Sequence, residues 1–282
     1  MPTSFFPPSP ILAFTASSAD SPARLRWVEK HAHAVEFSPD PEQLALLPRM
    51  VSPFLETGLS VRFHTRYFRY EIGHADRHKA EVALDVHMRT LSAMAGLGGS
   101  VVTVHTGLDP DQSVQFSRIV ENLSRLVEYA DNLGITVCLE NLRQGHSSEP
   151  HNVVEWATAS GAMITLDIGH TLGAECVRNG RFAPKDFVEL FSTRLHEAHV
   201  YGKEDFRGHH PITDMQPIES VIEKLLRTRC AWWTVELQEP AEAISTRGLL
   251  EAALRAQRLG RREHHVAGPA AGHKDQPCTI LE

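Results

Sequence analysis

The sequence predicts an α/β fold, a single (β/α)8 TIM barrel with a metal site at its C-terminal mouth. Three observations carry that expectation. A chain of 282 residues suits one barrel, a fold that typically needs ~250 residues. Short apolar, β-branched runs recur along it. Amphipathic stretches of helical period lie between those runs, and strand alternating with helix means a parallel sheet.

Eight runs read as strands: ILAF (11–14), HAVEF (33–37), LSVRFH (59–64), SVVTVH (100–105), ITVCLE (135–140), AMITLD (162–167), LHEAHV (195–200) and WWTVE (232–236). Eight units in one chain of this size favour a closed barrel over an open sheet. Among the intervening helices, 117–134 places Ile119, Leu123, Leu126, Val127 and Ala130 on one stripe and stops at Gly134. The stretch 81–98 behaves likewise, and GLGGS (96–100) reads as its turn into the next strand. The last helix is expected to end near Gly260. The barrel domain is therefore set at 1–262, and the small, charged, aperiodic segment 263–282 is expected to be a flexible tail. PTSFFPPSP at the start reads as a lead-in.

Composition narrows the function. Apolar residues make up 42%, enough for a real core, and the net charge is −7. That balance argues against nucleic acid as the main ligand, which calls for a basic face. Four cysteines, Cys138, Cys176, Cys230 and Cys278, are widely separated with no CxxC pair, as expected in a reducing compartment. The N-terminus lacks a basic export region, and no stretch approaches the ~20 apolar residues of a membrane helix. A cytoplasmic protein acting on a small-molecule substrate is expected; oligomeric state stays open, a homo-oligomer included.

The strand ends carry one kind of chemistry. His64, His105, Glu140, Asp167, His199 and Glu236 close six successive units, with spacings from 27 residues (Glu140 to Asp167) to 41 (His64 to His105). Side chains alternate along a strand. Two positions earlier stand Arg62, Thr103, Cys138, Thr165, Glu197 and Thr234, and between the two sets stand Phe63, Val104, Leu139, Leu166, Ala198 and Val235. The apolar set must face the helices and the polar set the lumen. Six ionisable groups then meet at the C-terminal mouth, where barrel active sites lie. Three carboxylates there repel one another unless a cation joins them. Imidazole with carboxylate suits Mn, Zn, Fe or Co, as one or two ions, better than a pure Mg or Ca site. Any one strand-end histidine reads more simply as a hydrogen-bonded surface residue; six at matching positions and of one parity do not. Elsewhere, Arg66, Tyr67, Arg69 and Tyr70 form a loop near the mouth, and Trp232 is a candidate for the pocket wall.

These segments, VRFHTRY, VVTVHTG, ITVCLENL, ITLDIGH, HEAHVYGKED, RGHHPI and WWTVELQEP, run in order through residues 11–256. They resemble the xylose-isomerase-like barrel superfamily, which joins sugar (phosphate) isomerases and epimerases with endonuclease IV. The resemblance implies Glu140, Asp167, His199 and Glu236 as the shared metal shell, with His64, His105 and His209 as further ligands of multinuclear members. It implies His170 as a further ligand or a substrate contact, with Gly169 letting the chain turn between Asp167 and His170. The nuclease pattern has Asp-x-His where this chain reads RGH, so Arg207 replaces an anionic ligand beside His209 and is expected to hold substrate instead. A third metal is disfavoured on that ground. The loop HHPITDMQPI also lacks the glycine-rich turn of many sugar isomerase relatives.

The favoured activity is a divalent-metal-dependent isomerase or epimerase of a small hydroxy-carbonyl compound, a sugar or sugar phosphate, working through an enediolate. Glu140 and Glu236 would be the catalytic proton carriers. The alternatives are an endonuclease IV-like phosphodiesterase and other metal chemistry, dehydration or oxidation, on the same barrel.

Overall fold

The computed structural model describes residues 9–107 and 113–266. Most of the expected lead-in and tail, residues 1–8 and 267–282, lies outside the described residues.

The strands are β1 (Ile11–Ser17), β2 (Ala34–Ser38), β3 (Ser60–Thr65), β4 (Val101–Val104), β5 (Thr136–Glu140), β6 (Met163–Asp167), β7 (Leu195–Val200), β8 (Lys203–Asp205), β9 (Gly208–His210) and β10 (Trp232–Val235). Eight of them close into a parallel barrel in the order β1-β10-β7-β6-β5-β4-β3-β2, and β8 and β9 form a separate antiparallel hairpin. All eight expected runs are barrel strands. The helices are α1 (Ser21–His31), α2 (Leu47–Glu56), α3 (Arg77–Met94), α4 (Phe116–Asp131), α5 (Pro150–Ser160), α6 (Ile168–Gly173), α7 (Glu175–Arg178), α8 (Pro184–Phe191), α9 (Glu219–Leu225) and α10 (Pro240–Val266). The last helix runs six residues past Gly260, into the segment expected to be tail. None of the described helices is long and apolar enough to cross a membrane. Cys138, Cys176 and Cys230 are free and buried.

Parity sorts the layers as alternation requires. Phe63, Val104, Leu139, Leu166, Ala198 and Val235 join the main core between sheet and helices. On α4, Ile119, Leu123, Leu126 and Ala130 are buried in that same core, and Asn122 joins them by donating to the Ile72 carbonyl at 2.7 Å. The opposite parity fills the lumen. Thr103 and Thr165 hydroxyls meet at 2.7 Å, and Arg62 pairs with Glu197 at 3.2 Å. Trp232 packs with Ala13 and Ala34 beneath them, its ring 4.4 Å from the Arg62 guanidinium. Trp232 thus plugs the lower lumen rather than walling the mouth, because it sits four residues before Glu236 on a strand that enters from the opposite end. One irregularity marks β7: Ile164 pairs with Leu195 but Thr165 with Glu197, so His196 is an extra residue. That bulge sets Glu197 and His199 on the lumen side.

The outer layer can be tested at Phe63, which is fully buried with its ring 6.5 Å from that of Phe37; Phe37 in turn lies 5.9 Å from Phe54 on α2. Phe63→Ala should cost about 3–5 kcal/mol, measured as a lowered urea midpoint. A change under about 1 kcal/mol would mean that this parity does not face the helices.

Candidate metal centre

Asp167 ends β6 and caps α6 in the same stroke. Its Oδ1 accepts the backbone N–H of His170 at 2.6 Å, as N-cap residues do. The spacing Asp-x-x-His is therefore a helix start that sets an imidazole beside a carboxylate. Asn141, just after β5, locks this corner: it accepts from Asp167 N at 2.9 Å, donates to the Asp167 carbonyl at 3.1 Å, and its own carbonyl takes His170 Nδ1 at 3.0 Å. Gly169 is required for closeness rather than for a turn. Its φ is not positive, and a Cβ placed there would meet the Tyr201 ring at 2.0 Å.

Four donors converge. One atom each from Glu140, Asp167, His199 and Glu236 lies within 4.8 Å of all the others, and all four residues are buried. His199 Nδ1 is 3.2 Å from Glu140, 3.3 Å from Glu236 and 3.9 Å from Asp167. The next two strand ends join on the Glu140 side: His64 Nε2 and His105 Nε2 stand 2.8 Å apart and 3.0 and 2.7 Å from the same Glu140 oxygen. Asp167 Oδ2, Glu236 Oε2 and His64 Nδ1 are buried with no hydrogen-bond partner. Buried carboxylate oxygens without donors are costly, and two imidazole nitrogens facing one carboxylate oxygen is an arrangement a cation satisfies. The residues present fit a divalent ion of the N/O-preferring transition series.

The electrostatics agree. Burial alone would raise the Glu140 carboxyl, but His199, His105 and His64 override it and hold it well below its usual range; His209 and His199 do the same for Glu236. Burial, with Glu140 and Glu236 nearby, pushes Asp167 well above its usual range. Burial lowers His105. His199 is raised well above the ordinary imidazole range against the pull of burial, because Glu36, Glu140 and Glu236 surround it.

The expected residues gather at the mouth with one exception. His64, His105, Glu140, His170, His209 and Glu236 line one cleft together with Arg66, Phe68, Arg143 and Glu204. Arg207 does not reach it. Asp205 pairs with Gly208 across the hairpin, which leaves Phe206 and Arg207 as the two-residue turn. Arg207 is exposed, and its guanidinium lies 5.3 Å from the Phe206 ring. The arginines at the cleft are instead Arg66, 3.4 Å from Glu236, and Arg143, 2.8 Å from Glu204.

Glu204 also corrects the inference drawn from RGH. It pairs directly with His209 across the hairpin. His209 Nδ1 gives its hydrogen to the Glu236 carbonyl at 2.9 Å, and His170 Nδ1 gives its own to Asn141. Both Nε2 atoms then point toward Glu204, at 4.0 and 3.4 Å. An acid therefore stands beside His209 after all, brought from five residues upstream by strand pairing. Sequence reasoning missed Glu204, Arg143, Asn141 and the buried Glu36; only Glu36, a charge inside an apolar strand, left a signal there.

Fold and mouth together define a (β/α)8 barrel with a carboxylate–imidazole centre at its C-terminal end. The chain belongs to the Xylose isomerase-like TIM barrel family, whose model matches residues 25–258. An uncharacterised protein of Methanocaldococcus jannaschii is 31% identical over 154 residues, 55% of this chain and 66% of that protein, so the chain spans a little under two thirds of that relative. Among solved structures, an L-ribulose 3-epimerase superposes with a TM-score of 0.72 at 15% identity, covering 95% of this chain and 100% of the other. A D-psicose 3-epimerase determined with D-fructose gives 0.69 at 15% (88% and 98%), and a 3-keto-D-glucoside 4-epimerase from E. coli gives 0.65 at 16% (86% and 100%). At such identities these likenesses establish the fold.

Two outcomes follow. A raised His199 pKa means that the folded, metal-free protein holds that proton tightly, and a cation must displace it. Affinity for Zn2+ should therefore keep rising with pH beyond the ordinary imidazole range, with roughly one or more protons released per ion, as read by calorimetry in buffers of different ionisation enthalpy. Affinity independent of pH, without proton release, would exclude His199 from the donor set. Gly169→Ala should lower stability by about 1–3 kcal/mol, because the Tyr201 ring cannot yield as a flexible chain end would; an unchanged melting temperature would contradict this close approach.

Proposed function

We propose that the protein is a metal-dependent isomerase or epimerase of a small hydroxy-carbonyl compound, a sugar or sugar phosphate. One observation carries the reading: the barrel order β10-β7-β6-β5 places Glu236 and Glu140 at the two ends of the donor arc with His199 and Asp167 between them, and both line one cleft. Two carboxylates flanking a substrate carbon are what a proton removed on one side and returned on the other requires. Glu140, Asp167, His199 and Glu236 would hold the cation. When bound, it would act as a Lewis acid on the substrate's carbonyl and neighbouring hydroxyl oxygens.

The chain's own groups supply the rest. One of Glu140 and Glu236 accepts the proton from the carbon next to the carbonyl, giving the enediolate form of the substrate. The other delivers a proton, taken up from water in the open cleft, to the opposite face or the neighbouring carbon. His170 donates through Nδ1 to the Asn141 carbonyl and faces Glu204 with Nε2 at 3.4 Å; against the pull of burial, Asp167, Glu140 and Glu204 raise it well above the ordinary imidazole range, which makes Nε2 a charged donor at the cleft wall. Arg66 and Arg143 place positive charge at the rim, where substrate oxygens or a phosphate would lie. The names of the structural neighbours, sugar 3- and 4-epimerases, support the same substrate class.

A second reading, phosphodiester cleavage, draws on two of the additional donor sets, His64–His105–Glu140 and His170–Glu204–His209, since several ions suit that reaction. The net charge of −7 and the carboxylates in the cleft disfavour a polyanion there.

The test is deuterium exchange. The protein, loaded with Mn2+, Co2+ or Zn2+ in turn, is incubated with a panel of ketoses and ketose phosphates in D2O. Incorporation beside the carbonyl is expected for at least one compound, and Glu140→Gln or Glu236→Gln should slow it by roughly 100-fold or more. Metal-dependent incision of abasic duplex DNA with no exchange in any sugar would replace this reading with the second.

A further inference from the structure

Beneath the donor arc lies a carboxylate that the proposed chemistry does not use. Glu36, on β2, is fully buried and lines no part of the cleft. Its two oxygens stand 3.2 and 3.1 Å from His199 Nε2, on the far side of the ring from Glu140 and Glu236. His199 therefore bridges two sets of acids, Nδ1 toward the mouth and Nε2 toward the lumen. A second acid, Glu197, sits two residues before His199 on the same strand and lumen face, and Arg62, paired with Glu36 in the β2–β3 register, binds it at 3.2 Å. The lumen thus carries a line of ionisable side chains from Arg62 at its lower end, over the Trp232 plug, up to the imidazole.

A buried carboxylate is expensive, and most barrel lumens at this depth hold apolar side chains. Geometry says what the expense secures. An imidazole facing carboxylates on both ring nitrogens can carry its hydrogen on either. Only the form with hydrogen on Nε2 leaves the Nδ1 lone pair aimed at Glu140, Asp167 and Glu236. A carboxylate on a ligating histidine's second nitrogen fixes that form, holds the ring plane and raises the basicity of the ligand.

We infer that Glu36 is a positioning residue for the metal centre: it accepts the Nε2–H of His199 and so directs His199 Nδ1 to the cation. Arg62 and Glu197 hold the lumen layer on which Glu36 stands. This rests on the metal-site reading above, because without a cation at Nδ1 the imidazole needs no fixed tautomer.

The experiment uses the full chain. Metal-free wild type, Glu36→Gln and Asp167→Ala are titrated with Co2+ and Zn2+ against a competing chelator, and the visible spectrum of each Co2+ complex is recorded. Glu36→Gln should bind about 10–100-fold more weakly with an altered Co2+ spectrum, while its metal-free melting temperature does not fall. Affinity and spectrum both unchanged would overturn the role of Glu36. A fall in metal-free stability matching the loss of affinity would also overturn it, as a merely structural role. The Asp167→Ala arm separates the two levels: if that variant keeps its metal, the site reading itself fails. Should Glu36→Gln not fold, 15N-histidine spectra of the zinc-loaded wild type decide, with the His199 signal identified by its loss in His199→Gln. A slowly exchanging Nε2–H on His199 is expected, and a hydrogen on Nδ1 would overturn the inference.

Discussion

The mouth of this barrel gathers more negative charge than its own imidazoles comfortably balance. Glu140, Asp167 and Glu236 share one small buried space with His199, and each acid disfavours ionisation of the next. In the metal-free protein the conflict favours bound protons: burial, with Glu140 and Glu236, pushes the Asp167 carboxyl up, and Glu36, Glu140 and Glu236 raise the His199 imidazole against the pull of burial. Much else is arranged around that conflict. The bulge at His196 keeps β7 in phase so that His199 faces inward. Asn141 spans two strands so that Asp167 cannot turn away, and His64 and His105 crowd against Glu140. The barrel supplies rigid walls for side chains that would otherwise repel one another apart.

The division of labour along each strand follows from the pleat. In β6, Thr165 faces the lumen, Leu166 the helices and Asp167 the mouth, and β4 and β7 repeat the sequence of roles with Thr103, Val104 and His105, or Glu197, Ala198 and His199. Hydrophobic burial outside and polar chemistry inside are thus provided by alternate residues of the same short segments. Substitution at one parity acts on stability and at the other on the site, although the two residues are covalent neighbours.

This regularity explains how far the amino-acid sequence could be read. Strand positions, parity, the six converging strand ends and the DIGH corner all depend on near neighbours in the chain, so periodicity exposes them. Glu36 is visible as a charge within HAVEF, but it sits in the lower layer rather than at the strand end, so the convergence of strand ends does not mark it. Glu204 and Arg143 were hidden for a different reason. Charged residues in loops read as solvated until pairing between distant segments shows what they face. Arg207 is the converse case: its place beside His209 in the chain suggested closeness, yet at a two-residue turn adjacent side chains diverge. Gly169 met the same limit, since the ring it must clear belongs to Tyr201, thirty-two residues away.

The β8–β9 hairpin has a consequence for how such a site can change over time. Glu204 and His209 occupy one cross-strand pair, so they enter or leave the mouth as a unit. A slip of one residue in that pairing would put them on opposite faces of the hairpin and break the corner, whereas lengthening the turn at Phe206 and Arg207 would leave both in place. The barrel strands fix four donors that drift only singly. The hairpin is a detachable cassette, through which a lineage could gain or shed this corner of the mouth in a single insertion or deletion while the inner arc of acids stays untouched.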